Sequence, residues 1–389
     1  MTNVGFGRAV ITPPLPVALA GYGGRAGPAT EVRDDLEVRA LFASTDGVGL
    51  CLLVCDLLGM SPSFANPVRA AVSEALGLPL PAVLTSCIHT HAGPSTMAGS
   101  EALGWPTPEG YLDILVSGCL AAAVEARASA EPATFHYQRS PLPDGLSVNR
   151  RGYPYTPTFA ALDVRAPSGA RIGALANVSI HPVALGPACL AVSSDWVGSF
   201  RNALESSHGG RAVLMSGALG DVNPPLHSHA TGFYDNDNFE DADELGKRVA
   251  AVVGPALDGG ESVGSGIGVR RHRWVEIEAS GALAALAGVA GPLSVELIEW
   301  MLGDVRLVSV PGEAFHALGN KIEAAVGGPS LLAGLSPVWQ GYLPDPWGDG
   351  YEEGVSYGED FVDGVRTALL DQGDHDHDHP HPHDHEHPH

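Results

Sequence analysis

The chain has few basic residues and no long apolar run, and each shortage excludes a class of protein. Lysine and arginine number 21 against 45 aspartate and glutamate residues, so the net charge is −24 at pH 7. Because a nucleic-acid interface needs a basic patch, no nucleic-acid partner is expected, and docking on anionic membranes is disfavoured. The longest apolar runs reach about half the length of a membrane span, which predicts no integral membrane association.

Cysteine is also scarce, and the N-terminus lacks a targeting signal. The five cysteines lie mostly in apolar contexts, which is typical of reduced, buried thiols rather than of a disulfide framework. Cys51 and Cys55 have no second cysteine pair, so they do not indicate a zinc site. The first residues lack the basic segment and apolar core of a secretory signal. The sequence therefore predicts a cytoplasmic protein.

The composition predicts a large, loop-rich α/β protein. The 389 residues are 44% hydrophobic, enough for a sizeable core, and 49 glycines and 31 prolines predict long ordered loops. Strand–helix–strand order indicates parallel crossovers, so we expect mixed β-sheets flanked by helices. A single domain is expected over 1–371. The segment 372–389, rich in histidine, aspartate and proline, is expected to be disordered. Predicted strands cover 4–12, 36–44, 48–58, 82–88, 134–137, 159–165, 172–180, 213–215, 266–277 and 305–310, and predicted helices cover 63–76, 109–127, 195–206, 239–253 and 314–326.

His89 and His91 stand where the predicted strand 82–88 meets a loop. Two residues apart, their side chains leave an extended chain from the same face. Chemistry in α/β proteins usually lies where core strands end, so two imidazoles here suggest a metal ligand with a neighbour for proton transfer. The alternative is a pair of partly buried histidines bonded to backbone groups.

A third histidine and a glutamate repeat this pattern. His181 ends an apolar strand before Pro182, and Glu313 follows a strand through a tight glycine turn. Two histidines and a carboxylate form a familiar catalytic zinc set. Each residue taken alone also has a purely structural interpretation. His181 is then a core histidine, and Glu313 is a glutamate in the first turn of a helix, where the helix dipole favours it.

Other polar segments are also compatible with an active site, but their sequence patterns are less specific. Gly220, Asp221 and Asn223 belong to a glycine-punctuated loop whose amides can position a substrate. Arg150 offers a cation to a carbonyl oxygen, although a solvated loop arginine is the alternative. The tyrosines of 342–357 are either ligands and proton donors or packed side chains.

The order of these motifs resembles the neutral/alkaline non-lysosomal ceramidase family. The resemblance runs from about residue 4 to about residue 360, covers the family's N-terminal catalytic domain only, and rests on shared order rather than on one motif. The family's C-terminal immunoglobulin-like domain is expected to be missing. The matching segments are AVITPP at 9–14, AGY at 20–22, DLEVRAL at 35–41, SCIHTHAGP at 86–94, His181, GDVNP at 220–224, PGE at 311–313 and GY at 341–342.

The resemblance implies a Zn²⁺ ion held by His89, His181, Glu313 and Tyr342. It also implies a substrate held against the loop that contains residues 220, 221 and 223.

The resemblance further assigns catalytic roles beside the metal. His91 would pass a proton to the leaving amine, Arg150 would stabilise the oxyanion, and Tyr357 would be the catalytic tyrosine. The spacing to Tyr357 is about three residues longer than the family pattern, so Tyr351 competes for that role. Asn223 replaces the serine of ceramidases proper, and an amide cannot act as a nucleophile, which disfavours long-chain ceramide as the substrate.

The predicted function is zinc-dependent hydrolysis of an amide bond in a small or medium N-acyl substrate by zinc-bound water. One alternative is a zinc esterase or peptidase-like hydrolase that uses the same site. Another is a metal-binding or metallochaperone protein that acts through the tail. Residues 374–389 carry eight imidazoles beside carboxylates, a composition expected to bind additional divalent metal ions. A merely solubilising tail is the remaining possibility.

Overall fold

The computed structural model describes residues 1–225 and 238–373, so the predicted tail at 374–389 lies outside the described residues. The strands are β1 (Asn3–Val10), β2 (Glu31–Val32), β3 (Glu37–Thr45), β4 (Val48–Cys55), β5 (Val83–Cys87), β6 (Glu131–Pro132), β7 (Thr134–Pro141), β8 (Val148–Asn149), β9 (Thr158–Arg165), β10 (Arg171–Val178), β11 (Ala191–Val192), β12 (Arg211–Ser216), β13 (Val222–Asn223), β14 (Glu261–Val263), β15 (Ile267–Ala279), β16 (Gly291–Leu302), β17 (Val305–Val310), β18 (Glu313–Ala314), β19 (Ser330–Gly334) and β20 (Tyr342–Leu343). The helices are α1 (Pro62–Leu76), α2 (Tyr111–Ala128), α3 (Trp196–His208), α4 (Phe239–Asp258), α5 (Gly281–Leu286), α6 (His316–Val326), α7 (Tyr351–Gly354) and α8 (Glu359–Leu370), with short 3₁₀ turns at Leu80–Ala82 and Ser100–Leu103. Across the described ranges, none of these helices combines the length and the apolar character needed to cross a bilayer.

Three mixed sheets form the framework, and the predicted α/β class is confirmed. Their strand orders are β5-β4-β3-β1-β6, β12-β10-β9-β7-β14 and β15-β16-β17-β19. Each sheet has a parallel pair at one edge, namely β4–β5, β10–β12 and β17–β19. A helix connects each pair, α1, α3 and α6 in turn. In each sheet the parallel pair therefore ends in loops at its carboxyl edge. Binding and catalytic sites of α/β folds usually lie in such loops.

The first sheet lies in the middle of the molecule and is buried on both faces. Alternate residues of β4 belong to two different clusters: Leu53 packs with residues of α1 and α2, and Leu52 packs with residues of the second sheet. Burial on both faces explains why β4 is a continuous apolar run rather than an alternating one. Each fully buried large apolar side chain contributes about 1.5–3 kcal/mol.

Helix α2 packs closely on β1 because two glycines leave room for its backbone. A Cβ added at Gly5 or Gly7 would lie 2.1 Å from the carbonyl oxygen of Ala126 or Ala122. Any side chain at these positions would push the helix off the sheet, which would open the core on that face.

A buried ion pair joins the end of the first sheet to α3. Both guanidinium Nη atoms of Arg201 lie 2.7 Å from the carboxylate oxygens of Asp56, and Asp56 is fully buried. Asp56 also accepts the N–H of Glu37 at 2.9 Å. The pair fixes α3, and therefore the loop that leads from β10 to α3, against the carboxyl end of β4.

Candidate metal centre and active site

His89 lies just beyond β5 in a backbone conformation that non-glycine residues seldom adopt. Its φ is 76°, in the left-handed region. Its N–H donates to the Leu57 carbonyl at 2.9 Å, and Nδ1 lies 2.6 Å from the Leu58 carbonyl. Because a carbonyl only accepts, Nδ1 is a protonated nitrogen, which leaves Nε2 as the ring atom that can bind a metal ion. Strain of about 1–3 kcal/mol at such a position is typical of functional sites.

His181 is held in the same way three residues beyond β10. Its N–H donates to the Val222 carbonyl at 2.9 Å, and Nδ1 lies 3.2 Å from that oxygen. The indole Nε1 of Trp196 donates to the His181 carbonyl at 3.2 Å, which fixes the backbone from the other side. Burial lowers the pKa of His181 to about 4, so the ring is neutral at pH 7 and its Nε2 lone pair is also free.

Glu313 brings the two imidazoles together. Its Oε2 lies 3.1 Å from His89 Nε2 and 3.3 Å from His181 Nε2, and all three side chains are buried. Its Oε1 accepts a hydrogen bond from Trp339 Nε1 at 2.8 Å. Burial raises the pKa of Glu313, but attraction to His89 and the contacts with both histidines outweigh it and hold the pKa well below its usual range. The carboxylate is therefore charged.

These donors fit a metal ion. With Nδ1 of each ring held by a main-chain carbonyl, the Nε2 atoms of both histidines face one anionic oxygen, a donor set that would suit a divalent cation. Ligands at 2.0–2.1 Å around a tetrahedral Zn²⁺ are about 3.3 Å apart, close to the separations found here. The predicted ligands His89, His181 and Glu313 are thus brought together, each oriented by a partner behind it, as metal ligands usually are.

Tyr342 lies beside Glu313 because β18 and β20 pair in parallel with these two residues in register. Its ring stacks on His181 with 6.5 Å between centroids, and its hydroxyl accepts from Arg150 Nη2 at 3.2 Å. Burial and the nearby Glu313 charge raise the pKa of Tyr342 well above its ordinary value, against the pull of Arg150. A bound cation is what would favour the phenolate that a tyrosine ligand requires.

Arg150 is positioned by the loop that follows β12. It donates from Nη2 to the Gly220 carbonyl at 2.8 Å, and its Nε pairs with Glu352 at 2.8 Å. The short pairing of β8 with β13 brings its loop to this place. Arg150 is therefore fixed between the 220–223 loop and Tyr342, on the rim of the candidate centre.

His91 has two buried ring nitrogens with no hydrogen-bond partner. Ligand atoms of His89, His91 and His181 all lie within 4.8 Å of one another. Its ring packs against Tyr22 at 4.7 Å and His89 at 5.1 Å between centroids. Burial, followed by its two histidine neighbours, lowers the pKa of His91 well below the usual value. A neutral imidazole with both nitrogens unpaired is available to a substrate or an ion.

The three predicted substrate-binding residues have different environments. Gly220 allows a close backbone approach, since a Cβ there would lie 2.4 Å from the Glu313 carbonyl oxygen. Asp221 is occupied within the fold, accepting from Asn149 at 2.6 Å and from the N–H of His316 at 2.7 Å. The buried Oδ1 of Asn223 has no hydrogen-bond partner within residues 1–225 and 238–373, so its side chain offers a polar atom to a ligand.

The structure also distinguishes between the two candidate catalytic tyrosines. Tyr351 begins α7 and is 59% exposed, but its ring lies 6.2 Å from that of Tyr342. Partial desolvation, followed by the charge of Glu313, raises its pKa. Tyr357 packs on Phe361 at 5.3 Å between centroids, and burial alone raises its pKa. The geometry favours Tyr351 as the tyrosine beside the centre.

Several residues that hold the centre gave no signal in the sequence. Leu58 and Val222 contribute main-chain carbonyls, which leave no mark on side-chain patterns. Trp339 is separated from Glu313 by 26 positions. Gly21 passes so close to His91 that a Cβ would lie 2.4 Å from the imidazole Nδ1.

Comparison with solved structures identifies the architecture. The fold is similar to that of neutral ceramidase from Pseudomonas aeruginosa, with a TM-score of 0.81 and 19% identity over 95% of this chain and 73% of that chain. A structure described as ceramidase complexed with C2 gives a TM-score of 0.81 and 18% identity over 95% of this chain and 74% of that one. No family model and no curated protein matches the sequence. The neutral-ceramidase-like fold implied by the motif order is thus confirmed.

Proposed function

We propose that the protein is a zinc-dependent hydrolase that cleaves the amide bond of a small or medium N-acyl substrate. One observation carries the proposal: the Nε2 atoms of His89 and His181 meet the Oε2 of Glu313 at 3.1 and 3.3 Å, with both Nδ1 atoms held by carbonyls. The ceramidase-like fold supports an amide as the scissile group, because the structures it resembles are ceramidases.

In this proposal His89, His181, Glu313 and Tyr342 hold the ion. Zinc would supply a nucleophile at neutral pH, since it lowers the pKa of a coordinated water from 15.7 to roughly 7. The buried carboxylate of Glu313 offsets part of the charge of the cation, and its hydrogen bond with Trp339 fixes which oxygen faces the imidazoles.

The surrounding side chains would position and protonate the substrate. Arg150, held at the rim by Gly220 and Glu352, donates to the carbonyl oxygen as negative charge develops on it. The hydroxyl of Tyr351 serves the same oxygen. His91, neutral in the free site, would accept the proton released by the attacking water on one unpaired ring nitrogen and pass it to the leaving nitrogen. Asn223 accepts a hydrogen bond from a polar group of the substrate through its unpaired Oδ1.

The test combines metal analysis with hydrolysis assays. Purified protein lacking 373–389 should bind zinc in stoichiometric amount and hydrolyse members of a series of N-acyl amines and N-acyl amino acids of graded chain length. His181→Ala should lose both properties. The matched control is His136→Ala, which changes a partly exposed histidine on β7 whose Nε2 lies 3.2 Å from the Thr134 hydroxyl, and it should keep both properties. Stoichiometric zinc in His181→Ala, or its full activity, would contradict the proposal.

The same experiments separate the alternatives. An esterase or peptidase-like enzyme would cleave matched esters or dipeptides faster than the amides and would still need His181. A metallochaperone acting through residues 374–389 would lose most of its metal capacity when the tail is deleted, whereas an enzyme keeps its turnover in zinc-replete buffer. The number of additional metal ions bound by the tail is the difference in metal stoichiometry between the full-length protein and the tail-deleted protein.

A cytoplasmic location is part of the proposal. All five cysteines are buried and none forms a disulfide, as expected for a reducing compartment. Fractionation of the source cells tests it.

A further inference from the structure

Arg25 lies beside the candidate centre on a well-anchored loop. The N–H of Ala20 donates to the Gly93 carbonyl at 2.9 Å, and Trp105 Nε1 donates to the Tyr22 carbonyl at 3.0 Å. The guanidinium of Arg25 lies over the Tyr22 ring, 5.0 Å from its centroid, and that ring packs on His91. One aromatic ring therefore separates this cation from the imidazole group.

The charge of Arg25 has no counter-ion in the part of the chain that the structure describes. Its Nη atoms donate only to main-chain carbonyls: Nη2 to His91 at 2.6 Å, and Nη1 to Pro187 at 3.4 Å and to Cys189. By contrast, Arg150 pairs with Glu352. The Nε–H of Arg25 is buried and has no hydrogen-bond partner among the described residues. A guanidinium has five N–H donors, so its hydrogen-bonding capacity is not exhausted by these carbonyls.

An unpaired, half-buried arginine is unexpected in this protein. The chain carries 45 acidic residues, yet none of those in residues 1–225 and 238–373 forms an ion pair with this cation. Leaving a desolvated charge without an anion is costly, and buried charges are usually paired. The planar fork of arginine matches a carboxylate, which it binds through charge-assisted hydrogen bonds.

We propose that Arg25 binds a carboxylate on the amine portion of the substrate, so that the substrates are N-acyl amino acids rather than neutral N-acyl amines. The inference rests on the proposed amide hydrolysis. Arg25 contacts the main chain of His91, whose side chain is assigned to protonate the leaving nitrogen. The cation and the proton donor thus share one side of the site, the side where the leaving amine and its substituents belong.

A purely structural role would have a different consequence. Arg25 joins three loop carbonyls, and if that were its whole function, its loss would weaken hydrolysis of every substrate equally. A carboxylate-binding role instead changes the preference between a charged and a neutral amide.

The experiment compares N-octanoylglycine with N-octanoylglycinamide, which differ only in the carboxylate, using zinc-loaded full-length protein. Wild type should prefer the acid. Arg25→Met should lower the ratio of kcat/KM for acid over amide by about 10- to 100-fold, mainly through KM for the acid. Arg25→Lys keeps the charge without the fork and should fall between the two. Arg248→Met, which changes an exposed arginine on α4, is the matched control and should keep the wild-type ratio.

The outcomes separate this inference from the proposed function. A wild-type enzyme that cleaves the glycinamide but discriminates against the acid overturns the inference and leaves amide hydrolysis standing. An unchanged ratio in Arg25→Met, with both rates reduced alike, also overturns it. If Arg25→Met fails to fold, the ratio in Arg25→Lys decides, and a wild-type ratio there overturns the inference. A wild-type protein that cleaves neither compound, nor any amide of the graded series, overturns both.

Discussion

Replacing Trp339 by phenylalanine should perturb the candidate metal centre without changing a candidate ligand. The indole Nε1 donates to Glu313 Oε1 at 2.8 Å, and Trp339 is only 8% exposed. Phenylalanine keeps most of the apolar contact but removes the donor. A hydrogen bond to a buried charged group contributes about 1.5–3 kcal/mol. Without it the carboxylate is free to turn, and the loss of such an outer partner lowers metal affinity about 10- to 100-fold.

Zinc affinity is measured by competition with a chelator of known affinity, and stability by urea unfolding of the metal-free protein. Trp300→Phe is the matched control, because Trp300 is also buried and its Nε1 donates at 2.8 Å to the neutral Pro81 carbonyl. It should lower stability by about 0.5–1.5 kcal/mol and leave zinc affinity unchanged. Wild-type zinc affinity in Trp339→Phe, or an equal loss in both variants, would refute the assignment of Glu313 as a ligand oriented by Trp339.

Three further predictions concern the surroundings of the centre. Tyr351→Phe should lower kcat about 100-fold, which is the usual effect of losing one oxyanion donor. This loss should be larger than that in Tyr357→Phe, because Tyr351 is the tyrosine that faces Tyr342. A larger loss in Tyr357→Phe would restore the assignment implied by the motif order. Gly21→Ala should reduce turnover while zinc stoichiometry is kept, since its Cβ would lie 2.4 Å from His91 Nδ1 at a φ of 95°; unchanged turnover would show that the ring moves without consequence. Burial raises the pKa of Asp195 to about 7, above the unfolded value of about 3.9, so the folded state holds this proton more tightly and stability falls as pH rises from about 4 to about 7. Relative to Asp195→Asn, the wild-type free energy of unfolding should therefore drop by about 3–4 kcal/mol across that window in urea titrations, and a pH-independent difference would contradict this.

The strand-end histidines could be predicted because their signal is local. At His89 and His181 an apolar strand is followed by the imidazole and then by residues that stop the strand, and these few positions are enough to place a polar group at a sheet edge. The order of such motifs along the chain then indicated the fold. In each case the deciding contacts with the backbone lie within the same loop or the one beside it.

One strand with charges on a buried face, β16, was not predicted. Strand β16 carries Glu296 and Glu299, both 2% exposed, and so its apolar pattern is broken. Glu296 is satisfied by Arg69, which lies 227 positions away. A pattern-based prediction treats such carboxylates as solvent-facing, because the distant partner that makes their burial possible is not visible locally.

The outer contacts of the centre were beyond prediction for a related reason. The carbonyls of Leu58 and Val222 act through the backbone, so any side chain at these positions would serve equally well. Trp339 reads as one more aromatic residue in a loop. Tyr351 and Tyr357 are both plausible in sequence, and only the packing of Tyr357 on Phe361 distinguishes them.

The wide spacing of the candidate ligands follows from the sheet topology. His89 follows the parallel pair β4–β5, His181 follows a strand of the pair β10–β12, and Glu313 follows a strand of the pair β17–β19. Each sheet contributes one ligand, so the positions 89, 181 and 313 are separated by the length of chain that builds a sheet. Because each ligand lies in the segment that leaves its strand, a one-residue slip in any of these pairs would shift the start of that segment and bury the other face of the strand. The registers of the three pairs are therefore needed to bring the candidate ligands together.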